Sequence, residues 1–401
     1  MVSTRLFSAL ALLAVSVHAD SLSTARAAWR EDRPHEALRL VEPLLAASPD
    51  DASAVGLRGR IHFDLARFDE ALADLARAAE LEPETWGDLA REIECRVAFY
   101  RCEDAKVREL LPTFEASAWT EAYPYLLEPD GMRRHQLDGG RYVVYVDEAL
   151  AERRGEVFAA RMLELIYDAY SSVFPFEVDP RMVSRVYVFG KTSEYQRFSL
   201  RAVGSNKSSA SGYFSPSTRI LVIDADPERQ ATNEFGFCAE AIDTLFHEGF
   251  HQFVQLHVPQ GMPDWLNEGM AEYFGPSTAR GKRKLNVGVV VKHHPTRTTR
   301  YERIRETLRD HPGSVWSVER FMQQTDDDFD AEGRGLLNYA QAWSLVHFFV
   351  QGMGSKGRTL LKGYFSALRE GRSPAEAYAE TFGELDARKL DKAWRAYVLR
   401  L

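Results

Sequence analysis

The chain has 401 residues, 45% of them hydrophobic, and a formal net charge of −9. That length and apolar content suffice for two or three buried cores, and the lack of low-complexity sequence speaks against a disordered chain. The acidic balance argues against a nucleic-acid-binding surface, and short basic stretches such as Arg280 to Lys284 read as solvated faces.

The first residues read as an export signal. Arg5 precedes an apolar run from Leu6 to Val17, and Val17-His18-Ala19 closes it before polar Asp20 and Ser21. The run is short for a membrane-spanning helix, so cleavage after Ala19 and a periplasmic or secreted location are expected, with an uncleaved anchor as the alternative. No later stretch reaches the roughly 18 apolar residues of a span, so none is expected once the signal is removed. Export would put Cys95, Cys102 and Cys238 in an oxidising compartment. A Cys95–Cys102 bridge and three buried thiols both fit the spacing, and no Cys-x-x-Cys metal site is present.

Residues 22–119 read as helical and repetitive. His35-Glu36-Ala37-Leu38 recurs as Asp69-Glu70-Ala71-Leu72, and Pro49 recurs as Pro83, both at an offset of 34 residues. Gly59, Ala71 and Ala78 fall where paired helices approach closely, and Pro83 falls where the second helix must stop. Glu103-Asp104-Ala105 marks a degenerate third copy, with Pro112 in place of an alanine. The pattern resembles a short tetratricopeptide array, which implies a protein partner on the repeats.

From Gly140 the pattern changes. Arg141 to Val146, Val183 to Phe189 and Thr218 to Asp224 are predicted strands, and Glu152 to Val173 a long helix. Cys238 to His257 reads as one amphipathic helix, and beyond Asp264 the chain is mainly helical apart from a valine-rich run at Leu285 to Val291. Strands first and helices afterwards predict an α+β domain over 140–401. Its sheet part covers about 140–235, two site helices lie within 238–275, and a helical part covers 300–401.

His247-Glu248-Gly249-Phe250-His251 matches H-E-x-x-H. Residues four apart share a helix face, so both imidazoles can bind one ion while Glu248 reaches a water in its open position. A zinc ion needs a third protein ligand. Pro263-Asp264-Trp265-Leu266-Asn267-Glu268-Gly269-Met270-Ala271-Glu272 supplies one, and this segment resembles the W-L-N-E-G segment of gluzincin metallopeptidases, the aminopeptidase N family among them.

The resemblance implies a thermolysin-like fold with a small mixed sheet, and one Zn²⁺ on His247, His251 and Glu268. It implies Glu248 as general base, and Glu272 as the carboxylate that orients His247. Tyr339, in Asn338-Tyr339-Ala340, is the implied donor to the oxyanion, with His293 and His294 as weaker rivals. The resemblance also implies an edge strand, placed at Thr218 to Asp224 behind Gly212-Tyr213-Phe214, that pairs with an extended peptide substrate. Glycine- and serine-rich residues 204–212 read as a rim over the cleft. Tetratricopeptide repeats ahead of such a domain resemble a bacterial group of exported gluzincin-like proteins. No G-x-M-E-N motif occurs, which removes the grounds for an aminopeptidase and favours an endopeptidase. Two alternatives remain open at this point: hydrolysis of a non-peptide amide or ester, and a binding protein whose gluzincin domain is only a platform.

Overall fold

The computed structural model describes residues 20–226, 228, 231–280, 283–331 and 333–401. The expected leader, residues 1–19, lies outside them, as do positions 281 and 282 of the basic stretch. The chain divides into two units, one ending at Glu121 and the other running from Ala122 to Leu401. Residues 122–139, assigned to neither part from sequence, therefore belong to the second unit.

The N-terminal unit is a set of helical pairs: α1 (20–30) with α2 (Pro34–Ala47), α3 (Ala52–Asp64) with α4 (Phe68–Leu81), and α5 (Pro83–Tyr100) with α6 (Asp104–Leu110). Pro83 occupies the first turn of α5, where its missing N–H costs nothing. Gly59 brings α3 against α4, since a Cβ there would stand 2.8 Å from Leu75 Cγ. The third pair is cut short, because Pro112 turns the chain into a 3₁₀ turn at Leu111–Thr113. No disulfide joins any of the three cysteines, so Cys95 and Cys102 are not bridged. Burial pushes the Cys95 thiol up to about 12, which leaves it unreactive.

The second unit is mixed α+β. It opens with α7 (Tyr123–Leu127), β1 (Met132–Gln136), β2 (Tyr142–Asp147), α8 (Glu148–Ala151), α9 (Gly155–Val173), β3 (Ser184–Phe189) and α10 (Thr192–Val203). The hairpin of β4 (Gly212–Ser215) and β5 (Ile220–Asp224) completes a sheet of order β1-β2-β3-β5-β4. β2, β3 and β5 run parallel, and β1 and β4 are antiparallel edges. The central strands are buried along almost their whole length, because helices cover both faces. Val144, Val186 and Leu221 join the main core with α9, while Tyr187 and Phe189 pack on Phe198 of α10.

One expectation changes here. The edge strand is β4, not the run from Thr218 to Asp224, because β5 is paired on both sides. The valine-rich run forms a strand only at β7 (Leu285–Asn286), paired with β6 (Thr278–Ala279). At Gly288 the backbone turns left-handed, and its carbonyl is taken by His347 Nε2 rather than by a neighbouring strand.

The remaining elements are helical. α11 (Ala239–His257) and α12 (Asp264–Phe274) carry the H-E-x-x-H and W-L-N-E-G segments. α13 (Arg300–Asp310), α14 (Val318–Met322), α15 (Asp326–Phe329), α16 (Gly335–His347), α17 (Ser355–Arg369), α18 (Pro374–Phe382) and α19 (Ala387–Arg400) follow. Among the described residues, no helix is long and apolar enough to cross a membrane.

Candidate metal centre

α11 divides by helical spacing into two working faces. Thr244, Glu248 and Gln252 hold the β4–β5 hairpin. A Cβ on Gly212 would lie 2.7 Å from Thr244 Cγ2, so the strand approaches the helix only because that residue is glycine. The Phe214 N–H donates to Glu248 Oε2 at 2.9 Å, and Gln252 Nε2 donates to the Arg219 carbonyl at 3.0 Å. His247 and His251 make the second face, with ring centroids 4.9 Å apart. Gly249, an unfavourable residue inside a helix, leaves room for the Tyr170 hydroxyl, which donates to the Phe246 carbonyl.

The third group arrives on α12. A turn through Gly261, at φ +88, reverses the chain, and fully buried Trp265 packs on Tyr364 with centroids 5.7 Å apart. Glu268 is thereby presented to both imidazoles: Oε2 lies 3.4 Å from His247 Nε2, and Oε1 lies 3.6 Å from His251 Nε2. These separations are long for hydrogen bonds. They fit the edges of a coordination tetrahedron, since ligands about 2.0–2.1 Å from one zinc ion stand about 3.4 Å apart. Ligand atoms of His247, Glu248 and His251 also lie within 4.8 Å of one another.

The electrostatics ask for a cation. Burial opposes a proton on His247, yet Glu268, Glu248 and Glu272 outweigh it and hold the imidazole up at about 9. Burial likewise favours neutral Glu268, but His247, His251 and Arg300 prevail and keep its carboxyl below the usual range. A site that retains a proton so tightly offers the same field to a metal ion.

Residues 241–358 match the family described as a protein of unknown function, DUF1570. The matched segment opens in the first turn of α11 and ends in α17, so it contains every residue of this centre from His247 to Tyr339. No curated protein matches the chain.

Glu272 is placed differently from expectation. Its hydrogen bond goes to Arg300, whose Nη2 donates to Oε1 at 2.6 Å, and it reaches His247 only through charge. A full guanidinium charge at contact distance outcompetes a ring N–H for the carboxylate. The imidazole that does receive a side-chain partner is His251. Its Nδ1 lies 3.0 Å from Asn267 Oδ1; an amide oxygen only accepts, so Nδ1 carries the hydrogen and Nε2 keeps its lone pair on the side of Glu268.

Tyr339 reaches the neighbourhood because α16 crosses α12 at Gly269, where a Cβ would stand 2.8 Å from the Ala342 carbonyl oxygen. The Arg300 guanidinium lies 4.9 Å from the Tyr339 ring centroid. Burial, followed by the charges of Glu268, Asp330 and Glu272, drives the phenol well above its ordinary range, so it keeps its proton. His293 and His294 are engaged locally instead, with Glu302 and Thr296.

Three contributors have no sequence reading behind them: Asn267, Arg300 and the Phe214 N–H. Asn267 carried a signal, since it stands one residue before the ligand glutamate. Arg300 carried none, being 28 residues from its partner across an irregular segment. A backbone donor leaves no mark in side-chain identity at all.

Proposed function

We propose that the second unit is a zinc-dependent hydrolase of the gluzincin type, cleaving peptide bonds with Glu248 as general base. The observation that carries this reading is the Glu268 carboxylate set between two imidazoles at tetrahedral-edge distances, with Glu248 beside them. His247, His251 and Glu268 would hold one zinc ion, leaving a position open. When bound, the ion supplies Lewis acidity to a water and to the substrate carbonyl.

The chain's own groups do the rest. Glu248 has Oε2 fixed by the Phe214 N–H, which leaves Oε1 to accept the water proton and return it to the departing amine. Asn267 fixes the His251 tautomer. Tyr339, held protonated, donates to the oxyanion as the tetrahedral carbon forms. Arg300 balances the charge of Glu272 beside the centre. β4, the free edge next to α11, offers backbone groups to an extended chain, which supports a peptide over a compact ester. We read the N-terminal unit as tetratricopeptide-like, on its 34-residue offset and paired helices, and the whole as an exported protein.

The test is Glu248→Gln, assayed on a peptide library alongside metal analysis. Hydrolysis should vanish while about one zinc per chain remains. Full hydrolysis by the variant would refute Glu248 as base, and a wild-type protein that binds no zinc would refute the centre.

A further inference from the structure

The second unit has a cleft of about 370 Å³ formed by α14, α15 and the chain just before α14. Trp316, Glu319, Arg320, Gln324 and Asp328 line it, and no group of the metal centre does. Its volume falls at the lower end of the range for small-molecule sites, roughly 300–1,000 Å³. Phe329, the residue after Asp328, meets Tyr339 edge-on at 5.3 Å. α15 thus borders the cleft with Asp328 and the metal centre with Phe329.

The charges of the cleft are opposite and held apart. Arg320 lies 4.0 Å from the Trp316 ring centroid, and Arg334 lies 4.2 Å from it. Among the described residues neither guanidinium forms an ion pair, although Glu319 and Asp328 line the same cleft as Arg320. Burial and the nearby Arg320 hold the Arg334 guanidinium below its ordinary range, with no carboxylate to offset them. Stacking on the indole steadies Arg320 and leaves its N–H edge free for an incoming carboxylate. Asp328 commits Oδ2 to Thr325, whose N–H and hydroxyl donate at 3.3 and 3.0 Å, and keeps Oδ1. Both amide atoms of Gln324 are buried without a hydrogen-bond partner. That leaves a donor and an acceptor unpaired on one side chain, a cost that rotation toward a ligand in the cleft would relieve.

We propose that this cleft binds a zwitterionic dipeptide. Its carboxylate pairs with Arg320, its ammonium with Glu319 and Asp328, and its peptide group with the amide of Gln324. A ligand of one charge would satisfy one side of the cleft and be repelled by the other. A free amino acid carries both charges but lacks the peptide group, whose acceptor and donor complement those of Gln324.

The experiment is isothermal titration calorimetry on the full chain, in the Glu248→Gln background, with glycylglycine, N-acetylglycylglycine, glycylglycinamide and glycine. Glycylglycine should bind at least about tenfold more tightly than either capped form, since each cap deletes one charge pair. Arg320→Gln should cost about tenfold for glycylglycine while leaving glycylglycinamide no weaker, because that probe has no carboxylate to lose. Glu319→Gln should weaken glycylglycine and leave N-acetylglycylglycine no weaker. Glu319 and Arg320 are both exposed, so the melting temperature should hold in each variant. No saturable binding of glycylglycine, or equal binding of glycylglycine and glycine or of glycylglycine and its capped forms, would overturn the proposal. An unchanged affinity in Arg320→Gln would overturn it too, by placing the peptide elsewhere. None of these results depends on whether the metal centre hydrolyses anything.

Discussion

In metal-free protein, alkaline pH should weaken the second unit through His247. The folded imidazole is held at about 9, against an ordinary value of 6.5. A folded value above the unfolded one means the contribution is fully present below pH 6.5 and is lost as pH climbs through about 9. Each pH unit between the two is worth about 1.4 kcal/mol, so roughly 3 kcal/mol should disappear across the window. Glu268 shares this interaction and is not counted again. Zinc reverses the slope, because ligation needs a neutral imidazole and strengthens as the proton leaves. Hydrogen exchange in peptides from α11 and α12, corrected for the intrinsic rate, measures the local opening energy with chelator and with zinc. Glu268→Gln should flatten the metal-free slope, since it removes the main group that holds the proton. A metal-free wild type whose α11 grows more stable between pH 6.5 and 9.5 would refute the reasoning.

Other outcomes follow from single contacts. Asn267→Ala frees the His251 ring and should weaken zinc binding about 10- to 100-fold, read by competition with a chromophoric chelator. Tyr339→Phe should lower kcat about a hundredfold with KM little changed, and an equal loss in both would point to packing instead. Gly269→Ala puts a Cβ 2.8 Å from both the Ala342 carbonyl oxygen and Val346 Cγ2, and should destabilise the unit by about 1–3 kcal/mol in urea unfolding. A gain in stability there, from the better helix former, would mean that α16 gives way easily.

Much of this was legible because helices carry their contacts in their spacing. His247 and His251 at four apart needed only the 3.6-residue period to share a face, whereas Glu268 was reached through the resemblance of its segment to that of gluzincins. The buried strands β2 and β3 were legible for a similar reason: both faces are covered, so each carries an apolar run, Tyr142 to Val146 and Val186 to Phe189. β1 was not, since Met132-Arg133-Arg134-His135-Gln136 is a polar edge that pairs on one side only. The wrong choice of edge strand had the opposite cause. The run ending at Asp224 looked more strand-like than Gly212 to Ser215 because it is central, and central strands are the apolar ones. Glu272 shows the limit of transferring a role by position: four residues after the ligand it lies on the expected face, but the partner is decided by Arg300, which local sequence does not announce.

The hairpin bond to Glu248 bears on reach. One oxygen is moored to a strand and the other is left for the reaction, so the side chain spans two fixed points. Aspartate has nearly the same acid strength but is one methylene shorter. At position 248 it could keep the mooring or approach the water, not both. Chain length is therefore what strand β4 selects for at the base, and the helix carrying the imidazoles and the strand at the cleft edge share a common ruler.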